Sequence, residues 1–373
     1  MLKMSKLSPL YKLFAILFLL VGMSACERDD AEPDTEGESF SRLYISIEEF
    51  NRGGTTSEEV RNVRIVYPAD ADNFDINYRH ISNAQGGRAI YFDPFLKTLF
   101  QSSSNKGVNT DTAVYAMEIG QMTGLPTNRS SLGNYLFAEV TGLGYSRANQ
   151  YFFIANRGGL GKDREEMSPA LFVVERPQAR NGHTKPLMKL LAEDMDFHDI
   201  AYADNDLYLS KRGTDGGIYV VENIAKVPYN KADSIGKLTP TRTLTVEGSH
   251  NIRGISYDTI KNVLALTDYP NESAVGQGRI LIFDNFSSLS SQERITPTRI
   301  ITGTNTGLQM PVDIELDRRA SGIYLYVADS SAKKVFRFKI SDDGNVAPDK
   351  ELDTVQTPVG LALDARDDST LGQ

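Results

Sequence analysis

The sequence predicts an all-β fold, a six-bladed β-propeller of four-stranded antiparallel blades, and three observations support this prediction. Short runs in which apolar and polar residues alternate recur along the chain, bounded by Asp, Ser, Asn or Gly, which is typical of strands joined by turns. The runs recur in groups spaced by roughly 47 to 59 residues, the range in which an all-β repeat indicates propeller blades. One group is divided between the two ends of the sequence.

The clearest group occupies residues 311–340. Residues 312–316 alternate, residues 323–328 are β-branched and aromatic, and residues 335–340 alternate again. Turn-forming Asp, Ser and Gly residues separate the three runs. This pattern predicts three strands of one antiparallel meander.

Four further groups have the same order. Their three strands are expected at 88–93, 98–104 and 113–119; at 141–146, 150–159 and 170–175; at 198–204, 207–212 and 217–223; and at 252–258, 263–269 and 279–285. The similar linkers 239–245 and 296–302 are expected to form fourth, outer strands, and residues 73–81 lie in the same phase.

The divided group predicts how the ring closes. Residues 358–364 match the first strand of the clearest group, whereas residues 43–50 and 60–67 match its second and third strands. A blade built from both ends of the chain would close the ring and leave no open sheet edge between its ends. An open solenoid would instead need polar caps and an intact first repeat.

The beginning of the chain resembles a bacterial lipoprotein signal. Three early lysines precede the apolar run 13–21, and Met23-Ser24-Ala25-Cys26 follows, which is similar to a lipobox. The run is too short to span a bilayer. We therefore expect a signal peptide at 1–25 and a lipid on Cys26; the alternative is an ordinary secretory signal with a chance cysteine. Cys26 is the only cysteine, so no intrachain disulfide forms.

The segment after Cys26 is acidic and contains Pro and Gly, which predicts a flexible tether over 26–39 and a propeller domain over 40–373. Its acidic cluster resembles a signal that sends some lipoproteins to the outer cell surface. We therefore expect an outer-membrane, lipid-anchored protein facing the cell exterior, or alternatively the periplasm. The net charge of −9 argues against a nucleic acid partner.

The residues at 311–340 and 358–364 resemble the NHL-type repeat, in which Pro-x-Gly-Ile-Ala-Val-Asp precedes Tyr-Val-Ala-Asp and Arg-Val-x-x-Phe. They are also similar to the six-bladed group that includes gluconolactonase-like enzymes. The resemblance implies a fold and no particular activity, because propellers serve as enzymes, sugar binders and protein platforms.

The blades of a propeller surround a central channel, and the first strand of each blade is the inner strand that lines it. Because the next strand runs antiparallel, its end lies beside the start of the inner strand, at one mouth of the channel. We expect a site there for a protein partner or for a polar, anionic or glycan ligand. The candidate ligand-binding residues are Arg88, Asn156, Arg157, His198, Arg212, Arg253, Asp268 and Asp313. The structural alternative is that the Asp residues bond turn backbone and that Arg and Asp neutralise each other.

The gluconolactonase-like resemblance implies an alternative, a hydrolase or lyase with a calcium-like ion held by oxygen ligands. Its ligands would be Glu48, Asn156, Asp268 and Asp313 or Asp329. Arg and Lys at equivalent positions would repel a cation, so no cofactor is the primary expectation and calcium the alternative.

His198 stands next to Asp199, which suggests a general base. No serine has the surroundings of a hydrolase nucleophile, so triad chemistry is not expected. The primary prediction is therefore a non-catalytic binding lipoprotein, with the channel-mouth hydrolase as its alternative.

Overall fold

Six β-sheets form the blades of a closed ring in the computed structural model. The model describes residues 40–51, 59–104, 111–120, 123–160, 166–270 and 274–370. The predicted signal peptide, the tether and Cys26 lie outside these residues. Within the part of the chain that the structure describes, every helix is too short or too polar to serve as a membrane span.

Each blade has four main strands, listed here from the channel outward. Blade 1 contains Pro358–Arg366, Phe40–Ile47, Val63–Val66 and Ile76–His80, and blade 2 contains Gly87–Asp93, Thr98–Ser103, Ala113–Ile119 and Pro126–Gly133. Blade 3 contains Val140–Ser146, Tyr151–Asn156, Ala170–Glu175 and Met188–Leu191, and blade 4 contains Phe197–Ala203, Asp206–Lys211, Gly217–Val221 and Arg242–Val246. Blade 5 contains Ile252–Asp258, Val263–Asp268, Arg279–Asp284 and Arg299–Thr302, and blade 6 contains Pro311–Leu316, Tyr324–Asp329, Lys334–Lys339 and Lys350–Asp353.

The predicted six-bladed, all-β fold is confirmed, but three blades have more than four strands. The added strands are Gly182–His183 on blade 2, Ile235–Lys237 with Tyr229–Asn230 on blade 3, and Arg294–Ile295 on blade 4. The ones that join a main blade strand run parallel to it and come from the linker of the following blade. They cover outer edges whose backbone groups would otherwise be open.

The remaining elements are small. Gly159–Leu160 pairs with Glu166–Met167 in a separate two-stranded sheet, and helical structure in the described residues consists of the single turns Phe286–Leu289, Pro177–Ala179, Ile224–Lys226 and Thr304–Thr306. The core lies between neighbouring blades, where alternate residues of facing sheets interdigitate. The rings of Phe100 in blade 2 and Phe152 in blade 3, for example, lie 4.4 Å apart.

The ring closes in blade 1, as the divided repeat predicts. Phe40–Ile47 pairs antiparallel with Pro358–Arg366, with Leu43 opposite Leu363 and Ile45 opposite Leu361. The inner strand of blade 1 also contacts the inner strands of blades 2 and 6. The first and last strands therefore belong to one sheet.

A buried arginine fastens blade 6 to blade 1. Arg337 is fully buried and donates to the carbonyl oxygens of Ala69 and Ala71 at 2.8 and 2.7 Å. Its guanidinium also donates to Asp349 and lies over the ring of Tyr324 at 4.3 Å. These contacts compensate the cost of burying its charge.

Candidate functional site

The six inner strands share one register near the mouth of the channel. Each pairs with its neighbour through a bulge at this point. From blade 1 to blade 6, the second residues are Val359, Arg88, Thr141, His198, Arg253 and Val312, and the third residues are Gly360, Ala89, Gly142, Asp199, Gly254 and Asp313. Because successive residues of a strand point in opposite directions, the two sets have different surroundings.

Five basic side chains gather where the inner strands begin, and we call this group the basic mouth. Its members are Arg88, Arg157, Arg212, Arg253 and His198. Arg157 and Arg212 reach it because they follow the second strands of blades 3 and 4, which run antiparallel to the inner strands. The charges of Arg88, Arg157 and Arg253 all act on His198. The structure thus brings together the five basic residues that the sequence placed at one mouth.

Two carboxylates pair with arginines of the basic mouth. Glu139 lies 2.7 Å from Arg88 and 3.3 Å from Arg157. Asp196 lies 3.6 Å from Arg157 and 3.2 Å from Arg212. In the described part of the chain, these two carboxylates therefore pair with three of the four arginines of the basic mouth.

Glu139 and Asp196 were not identified from the sequence. Both lie in linkers without strand periodicity, and each stands directly before an inner strand, at Val140 and Phe197. An acidic residue immediately before the first strand of a repeat was therefore the available signal.

Several polar atoms of the basic mouth are buried without a hydrogen-bond partner. They are the Nε atoms of Arg157, Arg212 and Arg253 and the Nδ1 atom of His198. Burial lowers the pKa of His198 well below its usual value, and the charges of Arg253, Arg88 and Arg157 lower it further. His198 is therefore a neutral imidazole among cations.

Tyr269 supports Arg253 at this mouth. The guanidinium carbon of Arg253 lies 5.6 Å from the ring centre of Tyr269, which is itself 4% exposed. Burial lowers the pKa of Arg253, contact with Tyr269 opposes this, and the charges of Arg157 and Arg88 lower it again. A guanidinium crowded by like charges gains stability when an anion approaches.

Asn156, Asp268 and Asp329 were candidates to offer their oxygens to a ligand or metal, with bonding to turn backbone as the alternative for the Asp residues, and the structure shows that alternative. Each side chain accepts backbone N–H groups of the loop that precedes the inner strand of its own blade. The donors are Ala138 and Glu139, His250 and Asn251, and Gln309 and Met310, in that order. Asn156 thereby positions Glu139 within the mouth, whereas Asp268 and Asp329 hold loops.

The calcium-type ligand set is not assembled in this fold. Asp268 also binds Arg279 through its carboxylate. Among the described residues, no group of three or more His, Cys, Asp or Glu side chains is arranged to hold a metal ion. Oxygens already occupied by N–H donors have little capacity for a cation.

Asp199 and Asp313 lie inside the channel and not at its mouth. Asp199 accepts the N–H groups of Ile200 at 2.8 Å and Ile255 at 3.1 Å. Asp313 accepts those of Ile314 at 2.8 Å and Leu361 at 2.6 Å. Each carboxyl thus joins its own strand to the next blade.

Among the described residues, His198 and Asp199, whose adjacency suggested a general base, share no hydrogen bond: the oxygens of Asp199 accept backbone N–H groups, and Nδ1 of His198 has no partner. Asp199 instead lies next to Asp313. The two carboxyls face a small cavity with Glu315 and Arg318 on its wall.

Comparisons with known proteins agree on the fold. No family model and no curated protein sequence matches the chain. The periplasmic gluconolactonase of Pseudomonas aeruginosa has a similar structure, with a TM-score of 0.56 and 12% identity over 87% of this chain and 98% of that one. A functionally unknown protein from Desulfotomaculum acetoxidans is similar with a TM-score of 0.53 and 9% identity, over 88% of this chain and 100% of that one. At these identities the likeness shows the fold alone.

Proposed function

We propose that the basic mouth binds an anionic ligand, a carboxylate- or sulfate-bearing sugar or glycan, and that ligand binding is the function of the propeller. The observation that carries this proposal is the convergence of four arginines and a neutral histidine with only partial compensation by Glu139 and Asp196. Planar guanidinium groups suit carboxylate and sulfate groups because they donate two parallel hydrogen bonds to a pair of oxygens.

The energetics of the site support binding over a purely structural role. Burial and like charges both act against the cationic form of Arg253, and such arrangements are concentrated at functional sites. The buried Nε and Nδ1 atoms without partners are costly in the free protein. A bound anion would neutralise the charge and supply acceptors for the arginine N–H groups.

Titration calorimetry with galacturonate and gluconate, against glucose as the neutral reference, tests this proposal. Arg157→Gln should weaken the binding of acidic sugars by about tenfold or more, because it removes a central charge of the mouth. Arg242→Gln is the matched control, since Arg242 pairs with Glu222 on the outer strand of blade 4. Equal affinities for gluconate and glucose, or equal losses in the two variants, would contradict the proposal.

A second candidate function is hydrolysis of a sugar lactone, and His198 is the observation that favours it. Its neutral imidazole has a free Nδ1 beside arginines, and the fold is similar to a periplasmic gluconolactonase. Water would add to the lactone carbonyl carbon as His198 takes its proton, and the ring C–O bond would then break with protonation of the ring oxygen. The arginines would stabilise the oxyanion and the carboxylate product.

This candidate is tested by following the hydrolysis of gluconolactone. His198→Gln should lower kcat at least a hundredfold, whereas His183→Gln, at an exposed site stacked on Tyr135, should leave kcat unchanged. Absence of turnover above the spontaneous rate would leave ligand binding as the function.

We also propose that Cys26 carries the lipid that anchors the protein to the outer membrane. The support is the sequence Met23-Ser24-Ala25-Cys26 after a short apolar run. Cys26→Ala should move the protein from the membrane fraction to the soluble fraction. A variant that still sediments with membranes would refute lipidation at this residue.

A further inference from the structure

The carboxyls of Asp199 and Asp313 lie next to each other on the wall of one small cavity inside the channel, and we call the two residues the acid pair. Asp199 belongs to blade 4 and Asp313 to blade 6, so their contact passes the inner strand of blade 5. At the same register, blades 1, 3 and 5 have Gly360, Gly142 and Gly254. These glycines leave room for the carboxyls: a Cβ on Gly142 would lie 2.9 Å from Oδ1 of Asp199.

A hydrogen bond between two neighbouring carboxyls requires a proton. An ionised carboxylate has acceptors only, so two carboxylates cannot bond each other. All four carboxyl oxygens already accept a backbone N–H group, and those donors do not link the two side chains. Two buried negative charges in contact would also repel each other strongly.

We propose that Asp199 and Asp313 share one proton in neutral solution, and that this proton fastens the inner strands of blades 4 and 6 across the channel as a pH-sensitive device. The pair joins the inner strands of four blades, because Asp199 also binds blade 5 and Asp313 also binds blade 1. Loss of the proton leaves two like charges inside the ring.

The charge of Glu315 also favours the protonated form of the acid pair. Glu315 lies on the wall of the same cavity, accepts the hydroxyl of Ser256 at 3.2 Å, and is 3.9 Å from the half-exposed Arg318. The other titratable side chains on the cavity wall are the phenols of Tyr91, Tyr145 and Tyr202. On the side of the channel mouth, His198 precedes Asp199 in the strand, and the charges of Arg253, Arg88 and Arg157 act on His198.

The sign of the pH dependence follows from burial. Burial raises the pKa of Asp199 to about 7, and burial together with the charges of Asp199 and Glu315 raises the pKa of Asp313 well above its usual value. The folded chain therefore holds protons that the unfolded chain releases. The stabilisation is fully present below the pKa of an unfolded Asp, about 3.9, and is lost as the pH rises through about 7.

Urea unfolding of the full chain between pH 5 and pH 8 tests the proposal. In the wild type, the shared proton should increase the equilibrium constant of unfolding by up to roughly 100-fold across this range. In Asp313→Asn, the amide does not titrate, so this part of the pH dependence should disappear, although one of the two backbone N–H groups that Asp313 accepts loses its acceptor. Asp199→Asn removes the other carboxyl of the acid pair and should have the same effect on the pH dependence.

Glu315→Gln is the matched control, because Glu315 lies in the same cavity and bonds a hydroxyl instead of a carboxyl. Because the charge of Glu315 also raises the pKa of Asp313, this variant should reduce the pH dependence, but less than Asp313→Asn does. Equal pH slopes in the wild type and Asp313→Asn would overturn the proposal, and so would equal flattening by Glu315→Gln. If the Asn variants do not fold, infrared spectroscopy of the wild type decides: absence of a protonated carboxyl band at pH 7 would overturn it.

Discussion

The basic mouth and the acid pair are built from neighbouring residues of the same inner strands, yet they differ in how their polar atoms are satisfied. His198 and Arg253 leave buried nitrogen atoms without partners among like charges. Asp199 and Asp313 have a partner for every carboxyl oxygen. One register position along the strand separates these two arrangements.

This difference indicates different roles for the basic mouth and the acid pair. Fully bonded buried polar groups stabilise a fold, whereas unsatisfied ones cost free energy. A site that costs stability is retained when binding or chemistry needs it. We therefore expect substitutions in the acid pair to reduce stability and substitutions in the basic mouth to reduce function.

The largest expected effect is that of Asp313→Ala. This change removes the acceptor for the backbone N–H groups of Ile314 and Leu361 and the partner of Asp199. Two buried N–H groups without partners should lower the free energy of unfolding by about 3 kcal/mol. Urea denaturation at pH 6 measures this loss.

Asp353→Ala provides the control in the same blade. The Asp353 side chain is 79% exposed and lies 3.7 Å from Lys334, so its loss should change stability by less than about 0.5 kcal/mol. If both variants lose similar stability, the special contribution of the acid pair is contradicted.

More of the fold than of the site could be predicted from the sequence, because strands follow from local residue patterns. Period-two runs and turn residues identified all six blades, and the match between 311–317 and 358–364 identified the closing blade. The added outer strands, such as Gly182–His183, are short and come from linkers. Their pairing depends on the neighbouring blade, so no local sequence pattern predicts these strands.

The site was predicted in part, and the errors have a common cause. Strand starts and ends correctly identified side chains that meet at the mouth, including Arg157 and Arg253. The same rule also selected Asp268 and Asp329, whose carboxylates bind loop N–H groups. Sequence position shows which end of a strand a residue occupies. It does not show whether the side chain bonds the backbone of a nearby loop or faces the channel.

A smaller effect is expected for Gly254→Ala, which tests the close approach at the level of the acid pair. A Cβ at Gly254 would lie 2.7 Å from Cα of Asp313 and 2.9 Å from the nitrogen of Ile314. Backbone atoms cannot move aside as a flexible side chain can, so the free energy of unfolding should fall by about 2 kcal/mol. Thermal and urea denaturation both measure this change.

Gly133→Ala is the matched substitution in an outer strand. The nearest atom to its added Cβ is the carbonyl oxygen of Gly182, at 3.4 Å. Stability should change by less than about 0.5 kcal/mol. A similar loss in both variants would show that the inner register is no more constrained than the periphery.

The smallest expected effect on stability is that of Arg253→Met. This variant tests most directly whether a residue of the basic mouth serves ligand binding and not the stability of the fold. Removing this guanidinium relieves its repulsion with Arg157 and Arg88, and methionine can still pack against Tyr269. We expect the free energy of unfolding to stay constant or rise by up to about 1 kcal/mol, while acidic-sugar affinity falls. Arg337→Met is the comparison, because Arg337 is fully buried and bonded to Ala69 and Ala71, and its loss should cost about 3 kcal/mol. Equal losses of stability in the two variants would mean that Arg253, like Arg337, is held for the fold and not for a ligand.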